Sequence, residues 1–392
     1  MTVPDPPRTS RILGVDAARA VALVGMFATH ILPLTTQDGQ ETLTGLLADG
    51  RASALFAVLA GVGVALSTGG PRRPPDGRAH LAAAAGLLVR GVLVAVVGLL
   101  LVGLDPPVAV ILAYYGLLFV AATPLLRLPA GILAGAAVLA CGLAPVLSHL
   151  LRSGLPRGPG DQPGFDALAE PGDLLVTLAV SGYYPVLPWL TYLLAGMAVG
   201  RLDLRRIRTA VALAVGGASV ALLATGASAL LLGPGGGAAA IGSEALARRR
   251  YGTTPTDTWW WLAVDAPHAG TPFDLAHTTG TALAVLGAML LLARYARSLV
   301  WLPAALGAAP LTLYTLHVVA VTVVPYEEAD GGSVLLAHVV AALVIGTLLK
   351  LAGRRGPLEA AVSGAGSGVR RLVSAAAPAP AAPAVDGPRH AR

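Results

Sequence analysis

Apolar residues in this chain run in long blocks separated by short polar stretches. Ten blocks reach or approach the roughly 20 residues that a helix needs to cross a bilayer. They lie at 12–34, 51–68, 81–104, 107–126, 129–151, 180–200, 207–233, 273–293, 300–324 and 333–352. The pattern predicts an all-α, polytopic membrane protein with about ten transmembrane helices in one bundle. The second block is short. The sixth holds Pro185 and Pro188, which predict a helix broken near its start; such breaks are tolerated where neighbours satisfy the freed backbone groups. The first block is too long and too late for a secretory signal, and no small-residue cleavage pattern follows it.

The polar stretches alternate in charge. One set holds Arg8 and Arg11, then Arg72, Arg73 and Arg78, then Arg127. It continues with Arg201, Arg205, Arg206 and Arg208, then Arg294 and Arg297, then Arg354 and Arg355. The short loops of the other set hold Asp38, Glu41 and Asp49, then Asp105, then Glu327, Glu328 and Asp330. The positive-inside rule therefore predicts both termini in the cytoplasm of a plasma-membrane protein. The loops 152–179 and 234–272 carry Arg152, Arg157 and Arg248 to Arg250, but long loops translocate largely regardless of charge. Residues 1–10 are expected as a disordered N-terminus, 11–353 as the membrane domain, and 354–392, which ends Pro/Ala-rich, as a largely disordered cytoplasmic tail.

Composition agrees: 55% of residues are hydrophobic and 12% charged, about half the charge of a soluble domain. Cys141 stands alone, which excludes a disulfide framework. The net charge of +6 would suggest nucleic acid in a soluble protein; here most arginines lie in one set of loops, so no nucleic-acid partner is expected. No phosphate-binding glycine loop, Cys-x-x-Cys or His-Glu-x-x-His is present, so nucleotide hydrolysis and metal binding have no support.

Ionisable groups inside spans are costly and mark function by default. The first span holds Asp16, Arg19 and His30. Arg19 and His30, eleven residues apart, fall within about 20° of one helix face and roughly 16 Å along the axis. Asp16 and Arg19 are i,i+3 neighbours able to pair; the plainer reading is an interfacial ion pair and a headgroup-level histidine. Arg90 lies near the middle of the third span, facing either an anionic ligand or a buried partner. The outer loop before the eighth span gathers Trp259 to Trp261, Asp265, His268, Asp274 and His277. The tryptophans suit an interfacial aromatic belt or a sugar-stacking surface. His268 and Asp274 either bind the acceptor or order the loop. His317 lines a cavity or bonds across helices; Tyr183, Tyr184 and Trp189 anchor the broken helix. Tyr114 and Tyr115 read as packing residues, His149 and His338 as interfacial.

Arg11-Ile-Leu-Gly-Val-Asp16-Ala-Ala-Arg19, followed by His30, resembles the start of the transmembrane acyltransferase superfamily. Further segments resemble its heparan-α-glucosaminide N-acetyltransferase-like bacterial members. They are Gly50-Arg51 through Gly61, Ile111 through Gly116, Gly182-Tyr183-Tyr184-Pro185 through Trp189, Pro267-His268 through Pro272, and Thr312 through His317. The resemblance implies acyl transfer from cytoplasmic acetyl-CoA or another acyl-CoA, with no permanently bound cofactor, to a sugar or glycolipid acceptor outside, in contact with membrane lipids. The lysosomal-type enzymes place Asn at the His30 position and a histidine in the following loop. Residues 31–50 here contain none, and His30 matches the O-acyltransferase pattern instead. On this reading His30 is the general base, with Asp16, Arg19 and His268 as its catalytic companions. Arg19, Arg90 and Arg51 would hold the donor; His268, Asp274, His317 and Tyr184 would hold the acceptor. Broken helices and midplane charge also suit a transporter or flippase for a lipid or small polar solute, the alternative reading.

Overall fold

The computed structural model describes residues 11–155, 162–324 and 329–375. Residues 1–10, the end of the tail, Arg157, Glu327 and Glu328 lie outside the described residues. The first half holds α1 (Leu13–Ile31), α2 (Leu43–Ala48), α3 (Arg51–Ser67), α4 (Gly77–Val102), α5 (Leu112–Ala122), α6 (Ala130–Arg152), α7 (Pro171–Val176) and α8 (Val186–Gly200). The second holds α9 (Ile207–Leu232), α10 (Gly237–Ile241), α11 (Ser243–Ala247), α12 (Pro272–Tyr295), α13 (Arg297–Leu306), α14 (Pro310–Val323), α15 (Gly331–Leu351) and α16 (Pro357–Ala375). Among the described residues there is no strand.

Local chemistry sets several helix starts. The carboxylate of Asp76 accepts from the Ala79 N–H at 2.7 Å and starts α4; that of Asp330 accepts from the Ser333 N–H at 2.8 Å and starts α15. At α12 the Thr271 hydroxyl accepts from the Asp274 N–H at 3.2 Å, while the Asp274 carboxylate reaches back to the Gly270 N–H at 2.8 Å. That reciprocal pair, with Pro272 in the first turn, fixes the start of the helix.

Among the described residues, seven stretches are long and apolar enough to cross a membrane, and up to nine if each of two bent helix pairs counts as one span. The chain is a multi-pass membrane protein. The fourth expected block holds only the short apolar stretch Leu112–Leu125. Pro185 and Pro188 fall where expected: the stretch 171–181 meets α8 at a 60° bend. The block 300–324 is not one straight span, because α13 and α14 meet at 58°. Pro310 opens α14, and Gly307 packs so closely on the Asp16 carbonyl that a side chain there would collide with it. The tail also departs from expectation, since residues 357–375 form α16, laid against α4 where Gly86 and Gly366 meet backbone to backbone.

α1 sits centrally, packed by α3, α12, α13, α14 and α15, with Ala17, Ala18, Ala22, Leu23 and Phe27 buried. α3 and α8 pack at Gly61 and Gly196; a Cβ on either would strike the partner helix's backbone. Small residues permit this closeness, and close packing drives association where lipid is as apolar as the side chains. The outward faces of α9 and α15 show Leu222, Leu223, Leu336 and Leu348, which suits lipid contact.

Candidate functional site

Two openings enter the bundle from opposite ends of α3. The first is a cavity of about 270 Å³ whose lining includes Arg11, Arg19, Arg90 and Arg355. Arg19 Nη1 donates to Asp16 Oδ1 at 2.8 Å, so the i,i+3 pair forms. Arg90 is half-buried; its Nη1 donates to Ser67 Oγ at 3.4 Å, its Nε has no partner, and Phe119 lies 6.0 Å from its guanidinium carbon. Among the described residues no carboxylate lies within ion-pair distance of it, so Asp16 is not its partner. Glu359 lines the cavity too, but its carboxylate accepts from Leu311 N–H at 2.6 Å, Thr312 N–H at 3.1 Å and Thr312 O–H at 2.6 Å. Those bonds hold it at the start of α14, where a helix favours negative charge. The cavity therefore keeps an excess of positive charge beside the apolar wall of Phe56, Leu59, Val94 and Phe119.

The second opening is a slot of about 20 Å³, room for one water molecule. His30, His268, Tyr184, Tyr314, Thr29 and Ser53 line it. The two openings share no lining residue. They approach along α3, where Ser53 lines one and Phe56 the other, a separation of roughly one helical turn. Tyr115 lies at this junction, stacked 5.7 Å from Phe56, and its buried hydroxyl has no partner.

His30 is held from behind. Its Nδ1 lies 3.0 Å from His317 Nε2, and His317 Nδ1 lies 2.9 Å from His338 Nδ1. Phe27 stacks on His317 at 4.0 Å. This contact leaves Nε2 of His30 for a reactant. His268 is held differently. Its φ is +57°, a backbone region costly for a residue with a side chain and kept only where neighbours enforce it. Its Nε2 lies 3.5 Å from the buried Asp49 carboxylate, and Tyr183 and Tyr184 meet its ring edge-on. Gly50, at φ +68°, lets Pro267 and His268 lie against the start of α3. Arg249 closes on Asp49 from the other side. The Arg248–Arg250 run is thus split: Arg248 pairs with Glu244 at 2.8 Å on the surface, and Arg250 lies 4.5 Å over Trp261. Burial, and after it the Arg248 charge, pull Arg250 below the ordinary arginine value.

The family model for heparan-alpha-glucosaminide N-acetyltransferase, catalytic, matches residues 11–232, more than half of the chain. The chain belongs to this family. No curated protein and no solved structure matches it. As an N-acetyltransferase family member it carries Asp16, Arg19, His30, Asp49, Arg90 and Tyr184 inside the matched segment, and His268, His317 and His338 beyond it.

The expected site residues divide between these places. Arg19 and Arg90 share the first opening; His30, His268 and Tyr184 share the slot. His317 stands behind His30 rather than in the slot. Arg51 lies at the start of α3 with Nη1 3.4 Å from the Asp49 carbonyl, so it is at the histidine end, away from Arg19 and Arg90. The Asp274 carboxylate is buried and bonds the Gly270 N–H at the start of α12; it does not line the slot. Asp49, His338 and Tyr115 are the additions. In the sequence Asp49 reads as loop charge and His338 as interfacial; Tyr115 differs from Tyr114, whose hydroxyl accepts from Tyr183 N–H at 3.1 Å. The three joined histidines form a chain, and among the described residues no three His, Cys, Asp or Glu groups are placed to hold a metal ion.

Proposed function

We propose that the protein moves an acetyl group from cytoplasmic acetyl-CoA to a sugar or glycolipid outside the plasma membrane, with both termini cytoplasmic. On this reading the bent pairs and the short α5 each complete a crossing, giving ten. The observation that carries it is the approach of an arginine-lined cavity and a histidine-lined slot to within about one helical turn of each other on α3. Arg19, Arg90, Arg11 and Arg355 suit the donor's phosphates, and the apolar wall beside them suits its pantetheine arm. The arm would carry the thioester to the junction at Tyr115.

The acceptor hydroxyl or amine enters beside His30 and His268. His30 Nε2 takes its proton as the new bond forms to the acetyl carbon, and the C–S bond breaks to release the thiolate. An imidazole base needs its other nitrogen held by an acceptor to fix the tautomer. His317, backed by His338, takes that place where a carboxylate would stand in a triad. His268, tied to Asp49, positions the acceptor beside Tyr184. The unpartnered Tyr115 hydroxyl is the donor for the oxyanion that develops on the thioester carbonyl.

The test uses membrane vesicles given acetyl-CoA labelled in its acetyl group on the cytoplasmic face, with label counted in the lipid and glycan fractions. His30→Ala is expected to cut labelling about 10²–10⁴-fold at unchanged protein level, the usual contribution of a positioned base. Normal labelling would overturn the assignment.

A further inference from the structure

A second arginine-lined cavity, of about 570 Å³, lies on the other side of the start of α1. Its cationic lining is Arg11, Arg205, Arg206, Arg294 and Arg297. Asp203 meets this group: it accepts from Arg206 Nε at 3.1 Å and from the Arg205 N–H at 3.1 Å. Neither Arg294 nor Arg297 has a carboxylate partner among the described residues. The guanidiniums around this space repel one another, and among the described residues no carboxylate offsets Arg294 and Arg297. A bound anion would offset it.

The backbone adds to the same field. α1 and α9 both begin at this cavity without a side-chain cap; Asp16 offsets the field in the first turn of α1, and α9 has no acid in its first turn. Uncapped first-turn N–H groups and the positive helix end favour an anion. The guanidinium fork suits phosphate oxygens in particular.

The remaining walls say which phosphate. Leu13, Ile207, Leu290 and Leu291 line the cavity, and the first turns of α1 and α9 meet the last turn of α12 there. The site thus joins a cationic crown to an apolar wall at the level where three membrane helices end. A lipid presents that arrangement: a phosphodiester at the surface with acyl chains running down the helices. We propose that this cavity binds the phosphate of an anionic lipid headgroup. The proposal does not depend on the acetyl-transfer reading.

The test is native mass spectrometry of the purified full chain from detergent containing equal phosphatidylglycerol and phosphatidylcholine. Wild type is expected to retain phosphatidylglycerol at least about tenfold over phosphatidylcholine. Arg205→Gln/Arg294→Gln/Arg297→Gln is expected to remove that preference, since each surface cation contributes to it. Arg72→Gln/Arg127→Gln/Arg371→Gln removes as much charge elsewhere and is expected to keep the preference. Should the first triple variant misfold, Arg297→Gln alone is followed by the thermal shift that added phosphatidylglycerol produces, which is expected to shrink. Unchanged retention in a folded triple variant, or an unchanged shift in the single one, overturns the site. Millimolar inorganic phosphate or glycerol phosphate that displaces the lipid and gives the same thermal shift would assign the cavity to a free anion and overturn the lipid.

Discussion

The arginine cavity and the histidine slot are built on opposite principles. The cavity is wide, and its cations Arg90 and Arg355 have no carboxylate partner among the described residues. The slot is narrow, and its polar groups are tied: His30 to His317, His268 to Asp49. A wide site with spare charge suits holding a large, mobile anion by its phosphates, where geometry is loose and affinity comes from charge. A narrow site with fixed rings suits chemistry, where small misplacements cost far more than a lost contact. The two ends should therefore fail differently. Damage to the slot should lower turnover, and damage to the cavity should raise the donor concentration needed.

The largest effect after His30 itself is expected at Asp49. Asp49→Asn keeps the shape but removes the charge that faces His268 and Arg249. Labelling turnover should fall about 10²-fold with KM for acetyl-CoA unchanged, the scale on which loss of a group that fixes a histidine shows itself. A rise in KM with turnover intact would place Asp49 with the donor and break the comparison.

Arg90→Gln should show the reverse split. A charge-assisted contact to phosphate is worth about 1.5–3 kcal/mol, so KM for acetyl-CoA should rise by about tenfold or more while turnover changes little. Steady-state labelling over a range of acetyl-CoA concentrations reads it. Loss of turnover alone would mean that Arg90 serves the reacting atoms or the packing around Ser67 and Phe119.

The sequence showed these regions unequally, for physical reasons. The spans were readable because apolar length is a property of contiguous residues, and the prolines at 185 and 188 marked their break locally. Arg19, Arg90 and His30 stood out because charge and imidazole are rare inside apolar blocks. Asp49 did not, because a carboxylate in a short loop has an ordinary place in solvent; its burial comes from Arg249 and His268, two hundred residues away. The His317–His338 link joins α14 to α15 and exists only once both pack on α1. For Asp274 the sequence left acceptor binding and loop ordering open, and only the fold shows its carboxylate on the Gly270 N–H at the start of α12. Residues 357–375 read as tail because their glycines and charges look unlike a span; what orders them is contact with α4 and the bonds of Glu359.

Glu359 gives the smallest and most discriminating test, because it lines the cavity while its carboxylate is held by the start of α14. Its carboxylate takes three hydrogen bonds from the start of α14, which joins α16 to the bundle. Glu359→Gln leaves an amide that can still accept some of them but carries no charge against the helix end. The expected cost is about 1 kcal/mol in stability, read as a lower midpoint of thermal unfolding in detergent. The kinetic effect turns on what the negative charge does in the cavity. If it only fixes α16, a loosened wall should raise KM a few-fold and leave turnover alone. If it also repels the donor's phosphates, its removal should lower KM despite the lost stability. A fall in turnover at unchanged KM would contradict both, and with them the separation of a binding end from a reacting end.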